Sequence, residues 1–102
     1  MDRITRLKEF LEKEPEDNFL QHALALEYIK TGEIEEAKVL FKNILSLNEN
    51  YIPSYYHYAK LLVAEDEIDE AMEVYKKGMI ECRKAGDNHS FNELQNALEE
   101  LD

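Results

Sequence analysis

The sequence predicts an all-α protein built from a repeated pair of helices. Three observations carry this. The chain has 102 residues with only 3 glycines and 2 prolines, and Leu, Ala, Glu and Lys dominate, a composition that favours helices. Strand-like alternation of apolar and polar residues is hard to find. Most telling, the chain writes one pattern twice: GEIEEAKVLFK from Gly32 returns 34 residues later as DEIDEAMEVYK from Asp66. Glu33, Ile34, Glu36, Ala37 and Lys42 reappear as Glu67, Ile68, Glu70, Ala71 and Lys76. Leu40 pairs with Val74 and Phe41 with Tyr75. Upstream, Ala25 pairs with Ala59 and Ile29 with Val63.

Each element follows from this period. Residues 3–13 predict a first helix, with Ile4, Leu7, Phe10 and Leu11 apolar at helical spacing. A first full unit, 18–51, opens with a helix carrying Leu24, Ala25, Tyr28 and Ile29. Gly32 suits the left-handed residue that ends a helix. A second helix then resumes with Ile34, Ala37, Leu40, Phe41, Ile44 and Leu45 on one stripe. The second unit, 52–85, repeats the arrangement with Asp66 in the turn, since aspartate tolerates the left-handed conformation better than most residues. Ala25, Ala37, Ala59 and Ala71 are placed where helices approach closely. Phe41 and Tyr75, four residues after Ala37 and Ala71, fill space on the same face. In 86–102, Ser90 with Glu93 predicts a capping box, and Phe91, Leu94, Leu98 and Leu101 recur at helical spacing.

These residues resemble the tetratricopeptide repeat, a helix–turn–helix whose pattern runs W-x2-L-G-x2-Y, then A-x3-F, then P. The first unit offers Leu24-Ala25-x2-Tyr28, Gly32 and Ala37-x3-Phe41; the second offers Tyr55, Tyr58-Ala59-x2-Leu62 and Ala71-x3-Tyr75. Gln21 occupies the tryptophan slot, and Glu49 and Arg83 stand where the closing proline belongs. Pro15 falls where a preceding repeat would close. The resemblance implies one domain over 1–102: a right-handed solenoid of five to six helices, with 1–17 as a half-repeat, 18–51 and 52–85 as full repeats, and 86–102 as a capping helix that covers the last apolar face.

Composition narrows the function. A formal net charge of −11 argues against nucleic acid, which needs a basic stripe, and against anionic membrane surfaces. Cys82 is the only cysteine, so an intramolecular disulfide framework and a thiolate metal cluster are both excluded. MDRITRLKEF lacks the apolar stretch of a secretion signal, and no segment has the length and apolarity of a membrane span, so the expected setting is soluble and cytoplasmic. No nucleophile-elbow or calcium-loop pattern occurs, and the run Glu65-Asp66-Glu67 with Asp69-Glu70 is read as a solvated turn and helix start. The chain is expected not to be an enzyme and to need no cofactor.

The resemblance further implies a non-catalytic module that holds a peptide segment in a concave groove lined by the first helix of each repeat, an adaptor or scaffold. That face selects Phe19, His22, Leu26, Ile29 and Lys30 from the first unit, and Tyr56, His57, Lys60, Val63 and Ala64 from the second. His22 and His57 are read as groove-lining imidazoles, because a metal site needs a third ligand and none is evident. Chaperone-binding members of the family clamp a C-terminal carboxylate with lysine, asparagine and arginine. The corresponding positions here are His22, Leu26, His57, Asp87 and Phe91, so that clamp is absent. The alternative is a self-associating unit, a homodimer through the groove or the N-terminal helix.

Overall fold

The computed structural model describes residues 2–101. Among them the chain forms six α helices: α1 (Arg3–Lys13), α2 (Asn18–Lys30), α3 (Ile34–Leu47), α4 (Pro53–Ala64), α5 (Ile68–Ala85) and α6 (Asn88–Glu99). No strand occurs among the described residues. The helices gather into two compact units, Met1–Leu47 and Asn48–Asp102.

Local chemistry sets the helix ends. Asp2, Asp17 and Asp87 are N-caps whose carboxylates accept the backbone N–H of Thr5 (2.9 Å), Leu20 (2.9 Å) and Ser90 (3.0 Å). Each satisfies a donor that the first helical turn would otherwise leave open. The cap of α6 is thus Asp87, three residues ahead of the Ser90 cap expected from sequence. The backbone explains the shift. Gly86 is left-handed at φ 71°, and the Asp87 N–H donates to the Cys82 carbonyl at 2.9 Å, so α5 closes and α6 opens at adjacent residues. The same closure ends α2 and α4. Gly32 (φ 82°) and Asp66 (φ 62°) let Glu33 N–H reach Tyr28 O and Glu67 N–H reach Leu62 O, both at 2.8 Å.

In the first unit α1 and α3 each pack on α2. Ala25, Ala37, Phe41 and Ile44 are fully buried, with Leu7, Leu24 and Tyr28 beside them in the buried set. Small alanines let the α2 and α3 backbones approach, and Phe41 fills the space one turn on. Phe10, expected on the apolar side of α1, is instead 54% exposed; Leu7 carries the burial, and Ile4 and Leu11 are half-buried.

The second unit repeats this with Ala59, Ala71, Leu62 and Tyr75, and adds α6 against α5. Gly78 permits that addition. A Cβ there would lie 2.7 Å from Tyr55 Cβ and 2.9 Å from Leu94 Cδ1, so only glycine lets Tyr55 and Leu94 close over α5. Cys82, four residues on from Gly78, is fully buried, and its thiol pKa is raised by burial, then by Asp87 and Glu81. A thiol held in that state is a packing group, not a nucleophile.

Candidate functional site

The residues expected to line a groove have separate fates. On α2, Phe19 is exposed, Leu26 and Ile29 are half-buried, and Lys30 is exposed with its ammonium 3.2 Å from Glu27. Glu27 also receives Arg3 at 3.3 Å, which ties α1 to α2. His22 departs from the expectation: it is buried, with its ring edge-on to Phe41 at 5.8 Å between centroids. It packs against Phe41 within the helical hairpin and is only 9% exposed.

On α4 the expected residues converge. Tyr56, His57 and Val63 are half-buried, and Lys60 is exposed. The Lys60 ammonium sits 5.5 Å from the Tyr56 ring centroid, and the His57 ring stands perpendicular to Tyr56 at 5.7 Å. A cation over an aromatic face and an edge-to-face ring pair both hold Tyr56 in place.

Two clefts flank Tyr56 within the second unit. The first, about 450 Å³, has Val63, Ala64, Ala97 and Leu101 as apolar lining, with Lys60, Asn96 and Glu100 among its polar groups and Tyr75 also in its lining. The second, about 340 Å³, is lined by Ile52, Pro53, His57 and Leu94, with Asp87 and Ser90 among its polar groups. Tyr56 and Glu93 belong to both clefts, so the tyrosine forms a ridge between two adjoining hollows. The α6 residues Glu93, Asn96, Ala97, Glu100 and Leu101 were not among the expected site residues. The available signal was the amphipathic pattern of 91–101, which sequence reading assigned wholly to packing.

The electrostatics follow from burial. The Tyr75 phenol is pushed up to about 12 by burial and then by Tyr56 and Glu100, so it remains protonated. The imidazole of His57 is held below its usual value, first by burial and then by the Lys60 charge, which favours the neutral ring near pH 7. Asp87 is held below the usual carboxylate range, chiefly by the Ser90 backbone N–H, and stays ionised. The clefts therefore offer aromatic and apolar walls, neutral donors and carboxylates. Among the described residues no group of three or more His, Cys, Asp or Glu is placed to hold a metal ion. No described helix is long and apolar enough to cross a membrane.

A family model for the tetratricopeptide repeat matches residues 28–81, just over half of the chain, from the last turn of α2 through α3 and α4 into α5. The chain belongs to the tetratricopeptide repeat family. Solved structures agree with that assignment. A tetratricopeptide repeat domain protein from Salinibacter ruber is 33% identical, with 86% of this chain and 89% of that one covered and a TM-score of 0.83. The TPR2B domain of yeast Sti1, in a complex with pHsp70, covers 96% of this chain and 78% of its own at TM-score 0.87 and 17% identity. The first TPR of Spaghetti (RPAP3), bound to the HSP90 peptide SRMEEVD, covers 96% and 73% at TM-score 0.79 and 17% identity. At 17% identity the last two show the shared fold alone. A search of curated protein sequences returned no match.

Proposed function

We propose that this tetratricopeptide repeat domain is a non-catalytic protein-interaction module of the cytoplasm that holds a peptide segment between α4 and α6. The observation carrying the proposal is the pair of clefts on either side of Tyr56. Burying one large side chain is worth about 1.5–3 kcal/mol, which does not offset the roughly 4–15 kcal/mol lost on association. Two adjoining hollows admit two anchors from one short segment, and Asn96, Ser90 and the carboxylates can orient its backbone. The Sti1 and Spaghetti domains, complexed with pHsp70 and an HSP90 peptide, lend support by analogy of fold.

Within the first unit, Phe19, Leu26, Ile29 and Lys30 on α2 are proposed as a separate contact surface, and His22 is left out of that set because it is buried. Tyr56→Ala tests the reading. A partner captured by the parent protein should bind this variant at least about tenfold more weakly, or 1.4 kcal/mol, with helicity retained. Unchanged affinity in a folded variant would remove the α4–α6 clefts from consideration.

Self-association is the second reading, favoured by the exposed Phe10 ring on α1. Sedimentation over a range of concentrations decides it. A monomer throughout supports the binding module, whereas a dimer dissolved by Phe10→Ser would give self-association the lead.

A further inference from the structure

We infer that the segment held between α4 and α6 is cationic, carrying an arginine or lysine close in sequence to a large apolar residue. The inference rests on the peptide-binding reading above and specifies its partner. The charged residues lining the second cleft are Asp87 and Glu93. Across both clefts the carboxylates of Asp87, Glu93 and Glu100 stand against the single ammonium of Lys60. That ammonium is already engaged with the Tyr56 ring. Glu93, more than half exposed, has His89 Nε2 beside it at 3.6 Å, a contact that carries charge only when the histidine is protonated.

The two hollows differ in charge: the first contains Lys60 with Glu93 and Glu100, whereas the second contains Asp87 and Glu93 with no lysine or arginine. The first is walled by Val63, Ala64, Ala97 and Leu101 and suits an aliphatic or aromatic side chain. The second has the carboxylates of Asp87 and Glu93 in its lining and suits a guanidinium or ammonium, whose stem can lie along Ile52, Pro53 and Leu94. The net charge of −11 extends the same preference beyond the site, drawing basic segments in and slowing acidic ones. The peptide SRMEEVD, bound by the Spaghetti domain, has three acidic side chains and would meet Asp87 and Glu93 with like charge.

A random dodecapeptide library displayed on phage, selected on the full chain and counter-selected on the Tyr56→Ala variant, tests this. Selected peptides should be enriched in Arg or Lys near a large apolar residue. Their affinity should fall at least about tenfold in the double variant Asp87→Asn/Glu93→Gln and weaken with added salt. Asparagine keeps the cap of α6 while removing its charge. Lys60→Glu should tighten the same peptides, and SRMEEVD should not compete. Peptides that depend on Tyr56 but are acidic or uncharged would overturn the cationic partner while leaving the cleft as a peptide site. If every peptide that binds the full chain is lost in the counter-selection, or none binds at all, both are overturned.

Discussion

Gln21 in the first unit and Tyr55 in the second occupy the same repeat position, and the structure shows different residues doing one job. Tyr55 donates its hydroxyl to the Glu49 carbonyl at 2.6 Å, six residues back. Gln21 donates its amide to the Pro15 carbonyl at 2.7 Å, also six residues back. Pro15 and Glu49 are themselves one repeat apart, so the side chain fastens the start of the repeat to the end of the segment before it in both cases. The bulk is distributed differently. Beside the large Tyr55, α5 has Gly78; in the unit with the smaller Gln21, α3 has fully buried Ile44 at the matching position. The repeat preserves a hydrogen bond and a filled volume, and neither requires a particular residue. The substitution has a cost: Gln21 Oε1 is buried without a hydrogen-bond partner, whereas tyrosine brings no second polar atom.

Substitutions at the paired positions break this comparison in opposite directions. Ile44→Ala opens a cavity in the first unit and should cost about 2–5 kcal/mol. Gly78→Ala crowds the second, where the added Cβ meets Tyr55 at 2.7 Å, and should cost roughly 1–3 kcal/mol despite alanine being the better helix former by about 1 kcal/mol. Thermal melts read both, at about 4–8 °C per kcal/mol for a domain of this size. A Gly78→Ala protein as stable as the parent would show that α5 and α6 are not fitted as described.

The turns give the next contrast. Gly32 and Asp66 both have positive φ, and space is open around the Gly32 Cα, so backbone conformation alone decides. Gly32→Ala should cost about 1–2 kcal/mol, while Asp66→Gly should change stability by less than about 1 kcal/mol. Chemical denaturation of the two variants checks the asymmetry.

The smallest effects fall on the fastening bond itself. Tyr55→Phe leaves the Glu49 carbonyl without its donor and should cost about 0.5–1.5 kcal/mol. Gln21→Met loses the equivalent bond but also removes the orphaned Oε1, so it should cost less than Tyr55→Phe under the same denaturant titration. The reverse order would mean that the glutamine is better satisfied than its surroundings indicate.

Much of the fold was legible because its signals are local or periodic. The 34-residue offset marked the two helical pairs, the alanines marked the close approaches, and Gly32 and Asp66 marked the left-handed turns. What stayed hidden depends on contacts distant in sequence. Gly78 reads as a flaw in a helix until Tyr55 and Leu94 are seen closing over it. His22 reads as surface because periodicity assumes one buried stripe, yet α2 buries Gln21, His22, Ala23, Leu24 and Ala25 in succession. Ser90 obeys a capping rule that Asp87 satisfies first. The α4 half of the candidate site, Tyr56, Lys60 and Val63, could be selected from sequence because the repeat register places them on one face. The α6 half could not, because pattern alone does not separate a helix that only covers a core from one that also walls a cleft.

Backbone amide chemical shifts, followed by NMR as an Arg-containing peptide from the library selection is titrated into the full chain, test the central claim most directly. The largest changes should fall on Tyr56, Lys60, Glu93 and Ala97, with the amides of α1 and α3 nearly still. Changes concentrated on Phe19, Leu26 and Ile29, with α6 unmoved, would contradict the assignment of the working surface to the α4–α6 clefts.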